Sequence, residues 1–139
     1  MLYVKESNTS GQISIDPSII SKIQSTLSAL TSYTTGNGTI NSTVLNPGSS
    51  FTWYKYGKIC HVDFVINTRT SSLQDYALLC KGLPEAKSNQ RIDYHSVDIN
   101  GLSKNGVLEI TVTGELHECW YYKPTAGKEC KGGFMYITK

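Results

Sequence analysis

A chain of 139 residues, 39% hydrophobic and 17% charged, has the size of one domain and enough apolar material to bury a core without disulfides or a metal. Its net charge of +2 is spread along the chain without a run of Lys or Arg, so nucleic acid is not an expected partner. No stretch approaches the roughly 18–20 apolar residues that cross a bilayer, and Met1-Leu2-Tyr3-Val4-Lys5 lacks the apolar centre of a signal peptide, so neither membrane insertion nor general export is expected.

Residues 1–15 are polar with a few β-formers and read as an extended or disordered lead-in. Asp16-Pro17 then supplies a helix start, because an Asp side chain accepts orphan N–H groups and Pro is preorganised for the first helical position. The helix is expected from Pro17 to about Ser32. Ile20, Ile23, Leu27 and Leu30 step by three, four and three, the spacing of a coiled-coil seam, with Ile19 alongside. Such a stripe needs a partner, either the β-rich remainder of the same chain or the same helix in other copies. About two heptads are too few to hold an oligomer alone, and isoleucine at seam positions leans towards three strands. Residues 16–33 are therefore expected to form an oligomerisation helix, and 34–139 a β-rich head.

Ser, Thr, Asn and Gly replace the missing charge and, with nine Tyr, favour short strands and tight turns. Strands are expected at 39–45, 50–56, 59–66, 76–80, 91–99, 107–114, 115–122 and 134–138, with glycines at 36 and 38 ending the helix region. The clearest is 59–66, where Cys60, Val62, Phe64 and Ile66 alternate with Ile59, His61, Asp63 and Val65. Asn105-Gly106 reads as a hairpin turn before a core stripe of Leu108, Ile110 and Val112. Residues 67–74 and 123–133 read as loops. The predicted fold is mostly β, an antiparallel β-sandwich or small barrel of about eight strands preceded by a short N-terminal helix.

Cys60, Cys80, Cys119 and Cys130 match no zinc or redox spacing, and buried free thiols are favoured over two disulfides. His117 and Cys119 share a strand face, but Cys60 and His61 point to opposite sides of theirs, which argues against a shared zinc site. Asp93, His95 and Ser96 are triad residue types without the surrounding turn or oxyanion motif, so no catalytic residue, metal or cofactor is assigned. Trp53, Tyr54 and Tyr56 cluster on one predicted strand, and Trp120, Tyr121 and Tyr122 on another. Aromatic faces stack on sugar C–H surfaces and on other proteins, although alternation buries part of each cluster. Trp53, Tyr54, Trp120 and Tyr121, with Arg69 and Lys123 from the loops at 68–75 and 123–131, are the candidate ligand-binding residues.

The order of four segments adds a family. Trp53-Tyr54-Lys55-Tyr56-Gly57-Lys58-Ile59-Cys60-His61-Val62 is followed by Gly82-Leu83-Pro84, then Gly106-Val107-Leu108-Glu109-Ile110, then Gly133-Phe134-Met135-Tyr136-Ile137-Thr138. This order resembles the distal domains of bacteriophage tail fibres over residues 39–139. The resemblance implies a homotrimeric receptor-binding protein of a virion tail, assembled in the bacterial cytoplasm, that contacts a bacterial cell-surface carbohydrate and other virion tail proteins. Glu85-Ala86 stands where such domains commonly carry Gly-Tyr-Arg-Pro, and the four cysteines are a second departure. Two rival readings are a lectin-like module of a bacterial protein and a purely structural tail or baseplate component.

Overall fold

The computed structural model describes residues 4–6, 13–70, 73–98, 103–120, 126–127 and 129–139. It divides into two compact units, Met1–Tyr33 and Thr34–Lys139.

The first unit holds an antiparallel hairpin of β1 (Val4–Glu6) and β2 (Ile13–Ile15), then helix α1 (Pro17–Thr31). The helix starts where Asp16 accepts a hydrogen bond from the Ser18 N–H at 2.8 Å with Pro17 in the first turn. It stops at Ser32, whose backbone turns extended. Ile20, Ile23 and Leu27 are 41%, 43% and 55% exposed, so the seam is unsheathed along its described length. The Leu30 side chain lies outside the described residues.

The second unit contains β3 (Thr34–Asn37), β4 (Thr39–Ile40), β5 (Ser50–Tyr56), β6 (Ile59–Asn67), β7 (Leu78–Lys81), β8 (Gln90–Asp98), β9 (Ser103–Ile110), β10 (Leu116–Trp120) and β11 (Glu129–Ile137). All pairings are antiparallel, in the order β3-β5-β6-β11-β8-β9-β10-β7-β4. The two ends of this ladder, β3 and β4, are consecutive in the chain and joined through Gly38. The ladder therefore folds over itself, and its ends meet through one residue of chain without pairing. The result is an antiparallel β-sandwich, not a closed barrel. Its core combines Phe51, Val62, Phe64, Phe134 and Tyr136 from one half with Leu79, Tyr94, Leu108, Ile110 and Leu116 from the other. The Phe64 and Tyr94 rings meet edge to face at 5.4 Å across it.

The strands at 50–56 and 59–67 form as expected, and the second follows its alternation closely, with Cys60, Val62, Phe64 and Ile66 buried. All four cysteines are free thiols, and burial pushes the Cys80 thiol up to about 12, which keeps it out of thiolate chemistry.

Three glycine-containing segments depart from expectation. Residues 34–37 form a strand, because Gly36 lies opposite Trp53 and a Cβ there would meet the indole at 2.6 Å. Asn105-Gly106 is strand, not turn: Gly106 pairs with Tyr94, whose ring occupies the space a Cβ would need, at 2.5 Å. Residues 130–133 are strand as well, and Gly132 lies opposite Phe64, 2.6 Å from where its Cβ would stand. In each case a glycine inside a strand lets a cross-strand aromatic ring lie over the bare backbone. Val112 falls beyond β9 and is 38% exposed, so the core stripe ends at Ile110.

Candidate functional site

The sequence-derived candidates scatter over the β-unit. Trp53 sits on the inward face of β5, packed against the core, with its indole N–H buried and unpaired among the described residues. Tyr54 is on the outward face, half-buried, its ring 6.5 Å from that of His61. Arg69 follows β6 and donates its Nε–H to the Ser42 carbonyl at 2.6 Å. Trp120 ends β10, its side chain outside the described residues, as are Tyr121 and Lys123. Trp53, Tyr54 and Arg69 do not converge on one pocket.

The outward face of β5, β6 and β11 carries two rows set by strand register. Tyr56, Ile59 and Ile137 lie opposite one another, and Tyr54, His61 and Met135 form the next row. Tyr56, Ile59, Met135 and Ile137 are 46–64% exposed, an apolar patch bordered by the His61–Asp63 pair at 2.7 Å.

A more organised cluster occupies the outward face of β7, β10, β9 and β8. Register places Leu78 beside His117, His117 beside Glu109, and Glu109 beside Arg91. Tyr76, just before β7, folds over this row. Its ring stacks on His117 with centroids 4.2 Å apart and planes within 10°. Its hydroxyl donates to Glu109 Oε1 at 2.5 Å, while Arg91 Nε donates to Oε2 at 3.2 Å. His117 Nδ1 lies 3.3 Å from the Tyr76 carbonyl and Nε2 lies 3.4 Å from Glu115 Oε2. Both neighbours are acceptors, so the ring serves both only with a proton on each nitrogen. Glu115 also pairs with Lys81 at 3.5 Å.

Tyr76 has φ +61°, a left-handed conformation that costs a residue with a Cβ on the order of 1 kcal/mol or more. Among the described residues it is the non-glycine residue in that region, and stacking plus the phenol–carboxylate bond hold it there. The product is a rigid aromatic ring, 46% exposed, flanked by an exposed guanidinium and ammonium. Hydrogen bonding to Glu109 pushes the Tyr76 phenol up to about 12, and the same bond, aided by Arg91, holds the Glu109 carboxyl below its usual range.

Tyr76→Phe is expected to lose about 1–2 kcal/mol of stability near neutral pH. Glu109 has a depressed folded pKa, so its contribution is present above the ordinary glutamate value and disappears as pH falls through the folded one. The gap between wild type and variant, read by urea unfolding, should narrow towards about pH 2. A gap unchanged by acid would assign the effect to packing instead.

Nothing in the sequence links residues 76, 91, 109 and 117. The run 76–80 reads as an apolar strand that hides Tyr76, and only strand register brings the charged partners together.

No family model matches the chain, and no curated protein sequence matches it. Among solved structures it is similar to the receptor binding protein (gp15) of Listeria phage PSA, with a TM-score of 0.55 over 88% of this chain and 74% of that one, at 10% identity. At that identity the likeness is one of fold.

Proposed function

We propose that this chain is a receptor-binding module of a phage tail, which attaches the virion to a bacterial surface through a saccharide held on the Tyr76 face. The observation that carries this reading is the fold shared with a phage receptor-binding protein over 88% of the chain. The order of strand segments between residues 53 and 138 supports it independently. A preorganised aromatic ring with charged hydrogen-bonding neighbours suits a sugar, whose C–H face stacks while its hydroxyls pair with side chains. The fluorescently labelled chain should decorate cells of a susceptible strain and lose them after periodate oxidation of surface glycans. Binding that survives periodate would redirect the search to a protein receptor.

The working unit in this reading is a homotrimer. The exposed seam of Ile20, Ile23 and Leu27 supports helix-to-helix assembly, and the apolar rows of β5, β6 and β11 offer the second contact that two heptads require. Light scattering should give a mass of three chains, and Ile23→Asp with Leu27→Asp should shift it towards one at low micromolar concentration. A double variant that remains trimeric would place assembly in the β-unit, whereas a monomeric wild type would remove the trimer from the proposal.

A further inference from the structure

Beside the Tyr76 face, over the paired β4 and β7 and the turn that follows β4, lies an open recess of about 270 Å³ lined by Thr39, Ile40, Asn41, Ser42, Leu78 and Lys81. Its volume is close to the lower bound of small-molecule sites, roughly 300 Å³, which suits one sugar unit and not an extended chain. Its wall is built rather than incidental. Asn41 donates its side-chain amide to the Leu78 carbonyl at 2.9 Å and accepts from the Thr43 N–H and hydroxyl, so the turn is fastened to β7. The Val44 and Leu45 N–H groups close on the Asn41 carbonyl at 3.1 and 2.9 Å.

What remains unspent in this wall has a consistent chemistry. The hydroxyls of Thr39 and Ser42 have no hydrogen-bond partner among the described residues, while Ile40 and Leu78 supply an apolar floor. One cation, Lys81, lines it, and a second, Arg69, is bonded to the lining residue Ser42. The Lys81 side chain is 61% exposed and its one ion pair, to Glu115, is long at 3.5 Å, so diverting it costs little. Arg69 is pinned through Nε to the Ser42 carbonyl, which leaves its two terminal amino groups without a partner among the described residues. Glu115 is the acidic group beside Lys81, at 3.5 Å.

We infer that this recess is a subsite for one acidic sugar residue, whose hydroxyls pair with Thr39 and Ser42 and whose carboxylate or phosphate is held by Lys81 and Arg69. The inference rests on the saccharide-binding reading above and extends it from a stacking face to a charged neighbour site. Leu78 belongs both to the recess and to the row under Tyr76, so adjoining sugars of one glycan would occupy both.

The test is titration of the isotopically labelled full chain with glucuronic acid, glucose 6-phosphate and glucose, read by amide chemical shifts. The acidic sugars should move the amides of Thr39, Asn41, Ser42 and Lys81, with glucose at least about fivefold weaker, since charge-assisted hydrogen bonds are roughly twice as strong as neutral ones. Lys81→Gln should erase the preference for the acids, and Ser42→Ala should weaken all three sugars together. The stronger of the two acids assigns carboxylate or phosphate. Glucose binding as tightly as the acids, or shifts confined to Tyr76 and His117, would overturn the subsite. Cell decoration is scored in parallel: if Lys81→Gln and Arg69→Gln decorate cells as wild type does, the subsite fails while the attachment reading stands. If wild type decorates no cells, the attachment reading fails, and the sugar titration alone decides the recess.

Discussion

Gly38→Ala is expected to cost about 3 kcal/mol, the upper end of overpacking penalties, and to lower Tm by on the order of 10–20 °C. The residue is the hinge through which β3 at one end of the ladder continues into β4 at the other, and its N–H donates to the Phe51 carbonyl at 2.8 Å. A Cβ there would stand 2.2 Å from Cys80 Sγ, 3.0 Å from Leu83 Cδ2 and 3.3 Å from the Lys81 carbonyl. The sulfur is the worst clash and the most readily removed. Cys80→Ala alone should cost about 1 kcal/mol for lost burial. The double variant should then be more stable than the two separate losses predict by about 1–2 kcal/mol. Strict additivity in denaturant unfolding would mean that the Cys80 sulfur is not what excludes a side chain at residue 38.

Tyr76→Ala should reduce attachment to cells or glycan at least about tenfold, the loss typical of an aromatic anchor in a recognition surface. The fold should survive, because the side chain is 46% exposed and outside the core. The backbone offers an internal check. At φ +61° glycine is unstrained where alanine is not, so Tyr76→Gly should be the more stable of the two ring-less variants by about 1 kcal/mol, yet just as defective in binding. A variant that keeps full attachment without the ring would remove Tyr76 from the site and leave the sandwich untouched.

How much of this was legible follows from what each residue type signals locally. The helix and the strands at 50–56 and 59–67 could be read because capping, alternation and a Gly57-Lys58 turn all operate within a few residues. Glycines misled the reading at 36, 106 and 132. Locally each resembles a turn signal, but its purpose is set by Trp53, Tyr94 or Phe64 on a neighbouring strand, which no short window contains. The Tyr76 cluster was hidden for the same reason. Its partners lie on β8, β9 and β10, and pairing alone makes them neighbours. Clustering in sequence makes Trp53 conspicuous although it is turned towards the core, and leaves the isolated Tyr76 inconspicuous.

One consequence of the strand order concerns synthesis. Residues 129–137 form β11, which stands in the ladder between β6 and β8 and pairs with both. As the chain leaves the ribosome, β5 and β6 can pair at once, and so can β8 with β9 and β10, but the facing edges of β6 and β8 have no strand between them until β11 emerges. Until then each piece presents a bare edge, a state that invites pairing with the neighbouring nascent chain. For a protein proposed to work as a homotrimer, copies translated side by side on one message would meet while those edges are still open, so the timing of the last strand bears on whether they assemble or aggregate.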